Sequence, residues 1–386
     1  MDLQERVAVL EQAAQFDVCA AVGQPMPLET GRVTERVPGL SDYIAHVVGK
    51  GGRRVPLLKI LLTSACEKNC YYCPFRAGRD FRRQTLSPDE LALAFDQMQR
   101  AGLVEGLFLS SSIAGMTRTM DRMLATVELL REKYKFQGYV HLKILPEAEL
   151  AQIERAVQLA DRVSVNLEAP DEAHLAKLAP RKTFEIGLLK PLRLAAEIIA
   201  QGGGRETGIG PTSQTTQFVV GPAGESDQEL LETSQQLYDE LHLARAYYSA
   251  FRPIPDTPLE NNPPTPPLRE HRLYQADFLL RRYGFRAEEL PYDASGNLSM
   301  EHDPKTAWAL AHPELFPVEV NRADRRQLLR VPGVGPKSAA RILQARRLGT
   351  IRSLGDLRRL GVLTNRAAPF VLLAGHRPPV QLPLWG

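Results

Sequence analysis

Three cysteines lie close together in the sequence, at Cys66, Cys70 and Cys73, in the spacing CxxxCxxC. Cysteine thiolates are the usual protein ligands of iron–sulfur clusters. A cubane cluster has four irons, so three cysteines leave one iron open to a ligand from outside the chain. The cysteines follow an apolar run, residues 55–63, which is typical of a buried strand. The pattern therefore predicts a cluster-binding loop at the end of a strand.

Two other kinds of site use cysteines at similar spacing. A structural zinc ion needs four ligands, but the remaining cysteine, Cys19, is far away in the sequence and no histidine stands near the loop. A redox-active CxxC pair would leave Cys66 without a role. An iron–sulfur site is therefore favoured, and the zinc and redox sites stay as alternatives.

Length, composition and cysteine usage set limits on the class of protein. The chain has 386 residues, 44% of them hydrophobic, which is enough for two or more domains. Because three of its four cysteines stand in one loop, a reducing cytoplasm is expected rather than a disulfide framework. The first residues lack the order of a signal peptide, and no apolar run is long enough to cross a bilayer. The sequence thus predicts a soluble cytoplasmic protein with no membrane partner.

From residue 55 onward, apolar runs alternate with amphipathic segments. This alternation indicates βα units around a parallel sheet. Ser87 and Ser226 each precede a glutamate by three residues, which predicts a capped helix start at both positions. We expect a helical extension over residues 1–52 and an α/β domain, a partial (β/α)6 TIM-like barrel, over residues 53–300. The expected strands are residues 55–63, 106–109, 139–145, 162–167, 215–220 and 246–251.

The cysteine motif, with the aromatic Tyr72 before its last cysteine, resembles the signature of the radical S-adenosylmethionine (SAM) superfamily. The resemblance implies a [4Fe–4S] cluster on Cys66, Cys70 and Cys73, whose open iron chelates the amino and carboxylate groups of SAM. It implies that an electron from the reduced cluster breaks the sulfonium–C5′ bond, and that the resulting 5′-deoxyadenosyl radical takes hydrogen from a substrate. A reductant such as flavodoxin or ferredoxin is then a partner. In barrels of this kind the chemistry lies at the carboxyl ends of the strands.

Polar residues after three of the expected strands resemble the SAM-binding elements of the same superfamily. Residues 110–112 stand where the superfamily has a small segment, often Gly-Gly-Glu, that binds the amino group of SAM. Asn166 and Glu168 resemble the residues that hold the ribose hydroxyls, a role that carboxylates also have in dinucleotide sites. Residues 217–225 resemble the GxIxGxxE element that packs against adenine. The expected SAM contacts are Tyr72, Ser110, Ser111, Ser112, Asn166, Glu168, Gln217 and Gly221.

Charge is unevenly distributed along the chain. Residues 318–386 hold thirteen Lys and Arg against three Asp and Glu, so this end carries +10 while the rest carries −7. A basic module on an acidic body indicates a polyanionic partner.

The basic end contains the sequence Val-Pro-Gly-Val-Gly at residues 331–335, between two expected helices. Asn321 is expected to cap the first helix, and the second begins near Pro336. The whole resembles the helix-hairpin-helix motif of DNA-binding and repair proteins. Gly333 and Gly335 are expected to permit unusual backbone angles and close approach. The N–H groups at the start of the second helix can then cradle a phosphate.

Side chains after the hairpin extend this predicted phosphate site. Lys337, Ser338 and Arg341 are expected to add contacts, which position a protein on DNA without reading its bases. We therefore expect a small all-α domain over residues 319–378 that binds DNA and follows a linker at residues 301–318.

The last residues, 379–386, form a tail with a further resemblance. Gln381–Trp385 resembles the QLxLF-type peptide by which bacterial replication and repair proteins dock on the sliding clamp, with Trp385 in place of phenylalanine. A tail that folds back onto its own domain is the alternative.

Together these parts resemble radical SAM proteins assigned to DNA modification or repair, which join such a barrel to a helix-hairpin-helix domain. The resemblance implies DNA as the partner and a damaged or modified nucleotide, extruded from the duplex, as the target. It also implies an association with a uracil-DNA-glycosylase-like protein. Two alternatives stay open: an RNA-modifying radical SAM enzyme, and a non-catalytic iron–sulfur protein that binds DNA or senses redox state.

Overall fold

The computed structural model describes residues 2–14, 45–48, 54–115, 117–205 and 210–378. Contacts divide these residues into two compact units. The barrel unit holds the residues up to Glu225 together with Gln236–Thr265, and the C-terminal unit holds Ser226–Gln235 together with the residues from Pro266 onward. Within the described ranges, no helix has the length and apolar character needed to span a bilayer.

The barrel unit is built on one seven-stranded sheet, in which the spatial order of the strands equals their order in the chain. The strands are β1 (Ala45–Val48), β2 (Arg54–Leu61), β3 (Gly106–Ser110), β4 (Tyr139–Lys143), β5 (Arg162–Ser164), β6 (Ser213–Val220) and β7 (Arg245–Ala250). β2 to β7 are parallel and form a curled half-barrel, and β1 pairs antiparallel with β2. The predicted α/β fold with six parallel strands is thereby confirmed. The antiparallel β1 lies within residues 1–52, where a helical extension was expected, so that expectation is wrong for residues 45–48.

Helices alternate with these strands, and local capping explains where two of them begin. At the first, the Glu90 N–H donates to the Ser87 hydroxyl at 3.2 Å, and the Ser87 N–H donates to the Glu90 carboxylate at 2.7 Å. Ser226 and Glu229 form the same reciprocal pair, so both predicted helix starts are confirmed. The helices are α1 (Leu3–Ala13), α2 (Pro88–Arg100), α3 (Thr117–Glu132), α4 (Leu150–Leu159), α5 (Glu172–Leu178), a π-helix (Phe184–Leu189), α6 (Lys190–Ala200) and α7 (Asp227–Leu241).

The strands of the sheet bury both of their faces. Leu107 and Leu109 of β3 alternate with Phe108, and all three side chains are fully buried. Phe108 contacts His141 of β4 edge to face, with ring centroids 4.5 Å apart. Strands that are covered on both faces have near-continuous apolar sequences, which is why these runs could be recognised in the sequence.

The C-terminal unit is mainly helical. Its core includes Val320, Leu328, Ile342 and Leu357, whose exposed fractions are all 0%. Two short parallel strands, β8 (Val318–Glu319) and β9 (Val371–Leu372), pair with each other. The helices are α8 (Pro267–Tyr283), α9 (Pro304–Ala311), α10 (Arg325–Arg330), α11 (Pro336–Ala345), α12 (Leu354–Arg359) and α13 (Thr364–Ala367), with 3-10 turns at Ala287–Glu289, Pro313–Leu315 and Ala368–Phe370.

The first helix of the hairpin region, α10, is capped by Asp324. The Asp324 carboxylate accepts from the Gln327 N–H at 2.7 Å, and the Gln327 side chain accepts from the Asp324 N–H at 2.9 Å. The prediction that Asn321 caps this helix is therefore wrong. Asn321 instead exchanges two hydrogen bonds with the backbone of Ile351, each 2.9 Å long, and so ties the start of the region to the segment before α12.

Candidate functional site

The cysteine loop begins shortly after β2 ends. The Glu67 N–H donates to the Ile113 carbonyl at 2.8 Å. The Tyr71 N–H donates to the Leu178 carbonyl at 2.7 Å. The loop is thereby fixed at the carboxyl ends of the strands, where active sites of βα barrels lie. It carries one buried and two half-buried free thiols: Cys70, then Cys66 and Cys73.

The side chain of Arg83 holds the loop from its far end. Its two terminal nitrogens donate four hydrogen bonds to backbone carbonyls on both sides of the cysteines. The acceptors belong to Ser64 (3.3 Å), Phe75 (3.2 Å), Arg76 (3.0 Å) and Arg79 (3.1 Å). A guanidinium is a rigid fork of donors, so one side chain fixes the whole path of the loop. The role of Arg83 could not be predicted from the sequence, because hydrogen bonds to backbone carbonyls leave no pattern of residue types.

A buried ion pair lies beside the loop. Lys182 Nζ is 3.0 Å from Glu168 Oε1, and the exposed fractions of the two side chains are 8% and 7%. Burial and the nearby Glu168 carboxylate raise the pKa of the Tyr72 hydroxyl. Burial lowers the pKa of Lys182, but the neighbouring Cys70 and Glu168 outweigh that effect and raise the pKa above its ordinary value. Lys182 therefore keeps its positive charge next to the thiols.

The thiols suit a metal centre. Burial raises the pKa of Cys70, against the opposing influence of Lys182, and burial likewise raises the pKa of Cys73. Without a metal both groups are neutral at pH 7, and a metal centre supplies the positive charge that releases their protons. Three soft sulfur donors with a buried ammonium beside them fit an anionic iron–sulfur cluster.

The predicted SAM contacts after β3 lie next to the segment that leads from β2 to the cysteines. Ser110 is the last residue of β3 and is buried. Ser112 is also buried, and its N–H donates to the Thr63 carbonyl at 3.0 Å. Ser111 is half-buried, and its hydroxyl donates to the Ser112 carbonyl at 2.8 Å.

The predicted ribose contacts are brought together with β6. Asn166 and Glu168 follow β5, with exposed fractions of 7% and 5%. The Glu168 N–H donates to the Gln217 carbonyl at 2.9 Å, and the Glu168 carbonyl accepts from the Val219 N–H at 2.8 Å. Glu168 has a φ of +68°, a left-handed conformation that is uncommon for residues other than glycine. Its backbone is thus held on both sides while its side chain pairs with Lys182.

Gly221 follows β6 in a closed turn. Its φ is +108°, and a Cβ atom there would collide with the hydroxyl of Thr265. That hydroxyl donates to the Val220 carbonyl at 2.6 Å. The Gly221 N–H donates to the buried carboxylate of Glu225. Only glycine therefore fits at the start of this turn.

The two hairpin glycines differ in conformation. Gly333 has a φ of +80°, and a Cβ atom there would collide with the Leu363 carbonyl. Gly335 has φ −98° and ψ 171°, an extended conformation that any residue adopts. The predicted unusual backbone angle is therefore confirmed for Gly333 and wrong for Gly335, where only the close approach of a ligand can require glycine.

The three side chains expected beside the hairpin differ in accessibility. Lys337 and Arg341 are exposed. Ser338 is 6% exposed, and its hydroxyl donates to the Gly361 carbonyl at 2.7 Å. Ser338 thus joins α11 to the turn between α12 and α13, while the other two side chains face solvent.

Two features of the sequence lie outside the described residues. They are Cys19 and the predicted clamp-binding peptide, Gln381–Trp385.

Comparison with known proteins gives one family and several structures. The family described as the Radical SAM superfamily matches residues 60–237, a range that includes the three cysteines and every predicted SAM contact. HydG, a maturase of the [FeFe]-hydrogenase, is similar with a TM-score of 0.45 and 12% identity, over 57% of this chain and 48% of that one. Methylornithine synthase (PylB) is similar with a TM-score of 0.45 and 15% identity, over 57% of this chain and 60% of that one. HydG from Carboxydothermus hydrogenoformans has a TM-score of 0.43 and 16% identity, over 57% of this chain and 50% of that one.

The chain thus spans about half to three fifths of the length of the solved structures that it matches. No curated protein has a significantly similar sequence. Radical SAM proteins use a [4Fe–4S] cluster and SAM, so the family match confirms the two cofactors that the cysteine motif predicts.

Proposed function

We propose that the protein is a radical SAM enzyme that acts on DNA, and the match of residues 60–237 to the Radical SAM superfamily supports the enzymatic half of this proposal. When bound, the cluster and SAM supply a carbon-centred radical that removes a hydrogen atom from a substrate. The role of the protein itself is to hold these cofactors and to bring DNA to them. The enzymatic half rests on the loop of three free thiols beside the buried Lys182.

The barrel unit supplies the proposed cofactor contacts. Cys66, Cys70 and Cys73 hold the cluster through sulfur. Glu168 already accepts from Lys182, but a carboxylate has about four lone-pair sites, so it can accept a ribose hydroxyl as well. The remaining proposed contacts are Ser110, Ser111, Ser112, Asn166, Gln217 and Gly221.

The C-terminal unit supplies the proposed DNA contacts. The first N–H groups of α11 have no partner within the helix, and they follow a hairpin whose path Gly333 fixes. Lys337 and Arg341 add exposed positive charge. The same unit also exposes Arg322, Arg325, Arg326, Arg347, Arg352, Arg358, Arg359 and Arg377. These exposed positive charges, in the unit that carries the hairpin, are the observation that supports DNA binding, because phosphate contacts supply affinity without reading sequence.

Binding of labelled duplex DNA by the full chain tests the DNA half of the proposal. We expect binding that weakens with salt, depends little on base sequence and is competed better by duplex DNA than by RNA. Stronger competition by RNA would instead support an RNA-modifying enzyme. A cluster-loaded protein that binds DNA and forms no 5′-deoxyadenosine from SAM would support the non-catalytic alternative.

Three protein partners belong to the same proposal. The chemistry needs a reductant, for which we propose a flavodoxin or ferredoxin. Docking on the sliding clamp through Gln381–Trp385 is tested by a pull-down that compares the chain with a variant lacking this peptide. Association with a uracil-DNA-glycosylase-like protein is tested by co-purification of the two proteins.

A further inference from the structure

Lys305 is a buried lysine that lies against the hairpin of residues 331–335. It belongs to α9, and its exposed fraction is 6%. Its Nζ donates a hydrogen bond to the Val334 carbonyl at 2.6 Å. Nζ also lies 4.7 Å from the centroid of the Tyr283 ring, which adds a cation–π contact. The charge of this lysine is thus directed at the hairpin.

The groups around Lys305 do not balance that charge. Burial, the largest cause, lowers its pKa to about 7, and Arg366 and Arg330 add to the lowering, whereas Asp303 opposes it. Asp303 is itself hydrogen-bonded to Arg366, and Arg330 is paired with Glu289 at 2.9 Å. A buried ammonium with no anion of its own is costly. Among the described residues the site is therefore short of one negative charge.

The hydrogen bond from Lys305 reaches a peptide group that also carries a free donor. The Val334 carbonyl and the Gly335 N–H belong to the same peptide, and no acceptor in the described ranges is bonded to that N–H. Gly335 is the N-cap of α11, where N–H groups favour an anion. Donation to the carbonyl polarises the peptide and strengthens its N–H as a donor. The Tyr283 hydroxyl is close by, 3.4 Å from where a Cβ atom on Gly335 would stand.

We infer that Lys305 positions the hairpin for a DNA phosphate, and that a phosphate bound at the Gly335 N–H draws a proton from solvent onto the Lys305 amine. The inference rests on the proposed DNA-binding function and adds to it a residue from outside the hairpin motif. Lys305 does not touch the phosphate; it acts through the peptide group between them. The phosphate in turn is the counter-charge that the buried ammonium needs.

This coupling makes DNA affinity depend on pH. In the DNA-free protein burial lowers the pKa of Lys305 to about 7, so its amine titrates near neutral pH, and a nearby anion raises this pKa. Binding therefore takes up as much as one proton. The affinity falls as the pH rises above about 7, by up to about tenfold per pH unit. At lower pH the affinity levels off, because Lys305 is already charged.

The test is a set of fluorescence-anisotropy titrations of the full chain with a labelled duplex at constant ionic strength, at pH values on both sides of neutrality. The dissociation constant of the wild type is expected to rise about tenfold over the first pH unit or two above 7. Lys305→Arg stays charged throughout, so its binding should lose this pH dependence without losing strength. Lys305→Met should bind weakly at every pH. Lys337→Met is the matched control, since loss of this exposed lysine should weaken binding by the same factor at every pH.

Parallel pH profiles for the wild type, Lys305→Arg and Lys305→Met would overturn the inference and leave DNA binding in place. A wild type that binds no duplex at any pH would overturn the proposed function, on which the inference rests. Circular dichroism shows whether Lys305→Met folds. If it does not, NMR titration of isotope-labelled lysine in the wild type decides: a Lys305 pKa that the duplex leaves unchanged overturns the inference.

Discussion

At the scale of single residues, Glu168 links the sheet to the buried lysine beside the cysteine loop. The carboxylate accepts from Lys182, and the backbone of Glu168 is hydrogen-bonded to β6 through both its N–H and its carbonyl. Burying two charges costs the hydration of both, and their attraction repays this cost only while both are present. Loss of either Lys182 or Glu168 should therefore destabilise the structure around the thiols.

We predict that Lys182→Met lowers the free energy of unfolding of the barrel unit by about 3–5 kcal/mol, because Glu168 is left as a buried charge without its partner. Adding Glu168→Gln should recover much of this loss. Lys133→Met is the control, since the Lys133–Asp89 pair is exposed and 3.9 Å apart, and its loss should cost less than about 1 kcal/mol. Urea unfolding followed by circular dichroism measures all three, and equal losses for the two lysine variants would contradict the prediction.

We predict different outcomes for alanine at the two hairpin glycines. Gly333→Ala should lower the melting temperature of the C-terminal unit, because a positive φ costs a residue with a Cβ atom about 1–2 kcal/mol and the new methyl meets the Leu363 carbonyl. Gly335→Ala should leave the melting temperature nearly unchanged but weaken duplex binding, since its methyl stands beside the Tyr283 hydroxyl on the proposed path of the phosphate. Melting curves and anisotropy decide, and duplex binding of wild-type strength by Gly335→Ala would count against phosphate approach at this position.

At the scale of elements, the cysteine loop and the hairpin are stabilised in the same way, by a basic side chain that donates to backbone carbonyls. Each is a backbone segment whose path is held by a side chain from elsewhere in its own unit. Arg83 donates to four carbonyls around the cysteines, and Lys305 donates to one in the hairpin. Backbone held in this way is already organised before a ligand arrives, which lowers the entropic cost of binding.

We predict that Arg83→Met lowers the iron content of anaerobically reconstituted protein and speeds the loss of iron to a chelator, because four loop carbonyls lose their donors. The fold of the barrel unit should persist, as judged by circular dichroism. Arg82→Met, which changes an exposed neighbour, is the control and should reconstitute like the wild type. Equal iron contents in the two variants would exclude a role for Arg83 in holding the loop.

The parts of the fold that could be predicted are those with local signals. Apolar runs located the six parallel strands, and serine–glutamate pairs located α2 and α7. The start of α10 was predicted wrongly because Asn321 and Asp324 are both residue types that cap helices well. The cap is Asp324 because Gln327 forms reciprocal hydrogen bonds with it. The contacts of Lys182 with Glu168 and of Lys305 with Val334 could not be predicted, because the partners are 14 and 29 residues apart in the sequence. No periodicity reports such partners.

At the scale of the whole molecule, positive charge is concentrated in the region proposed to bind DNA and not in the region proposed to hold the cofactors. The +10 of residues 318–386 stands against −7 for the rest, so attraction to a polyanion is concentrated at one end of the chain. DNA binding through that end releases counterions. The logarithm of the binding constant therefore falls linearly with the logarithm of the salt concentration.

We predict that the variant with both Lys337→Met and Arg341→Met reduces the slope of this salt dependence by about 2, one for each phosphate that is no longer neutralised. Arg100→Met, a change at a residue of the barrel unit whose side chain is 70% exposed, should leave the slope unchanged. Anisotropy titrations at several salt concentrations give the slopes. A double variant with the wild-type slope would place the phosphate-binding side chains elsewhere.

The most direct measurement of the central claim is 5′-deoxyadenosine formation by the anaerobically reconstituted chain with SAM, a reductant and duplex oligonucleotides that carry modified nucleotides. We predict that 5′-deoxyadenosine forms, that its formation requires Cys66, Cys70 and Cys73, and that one of the duplexes increases its rate. Deuterium placed on the target nucleotide should then appear in the 5′-deoxyadenosine. Cluster-loaded protein that forms no 5′-deoxyadenosine, or forms it at the same rate with every duplex and without DNA, would contradict the account.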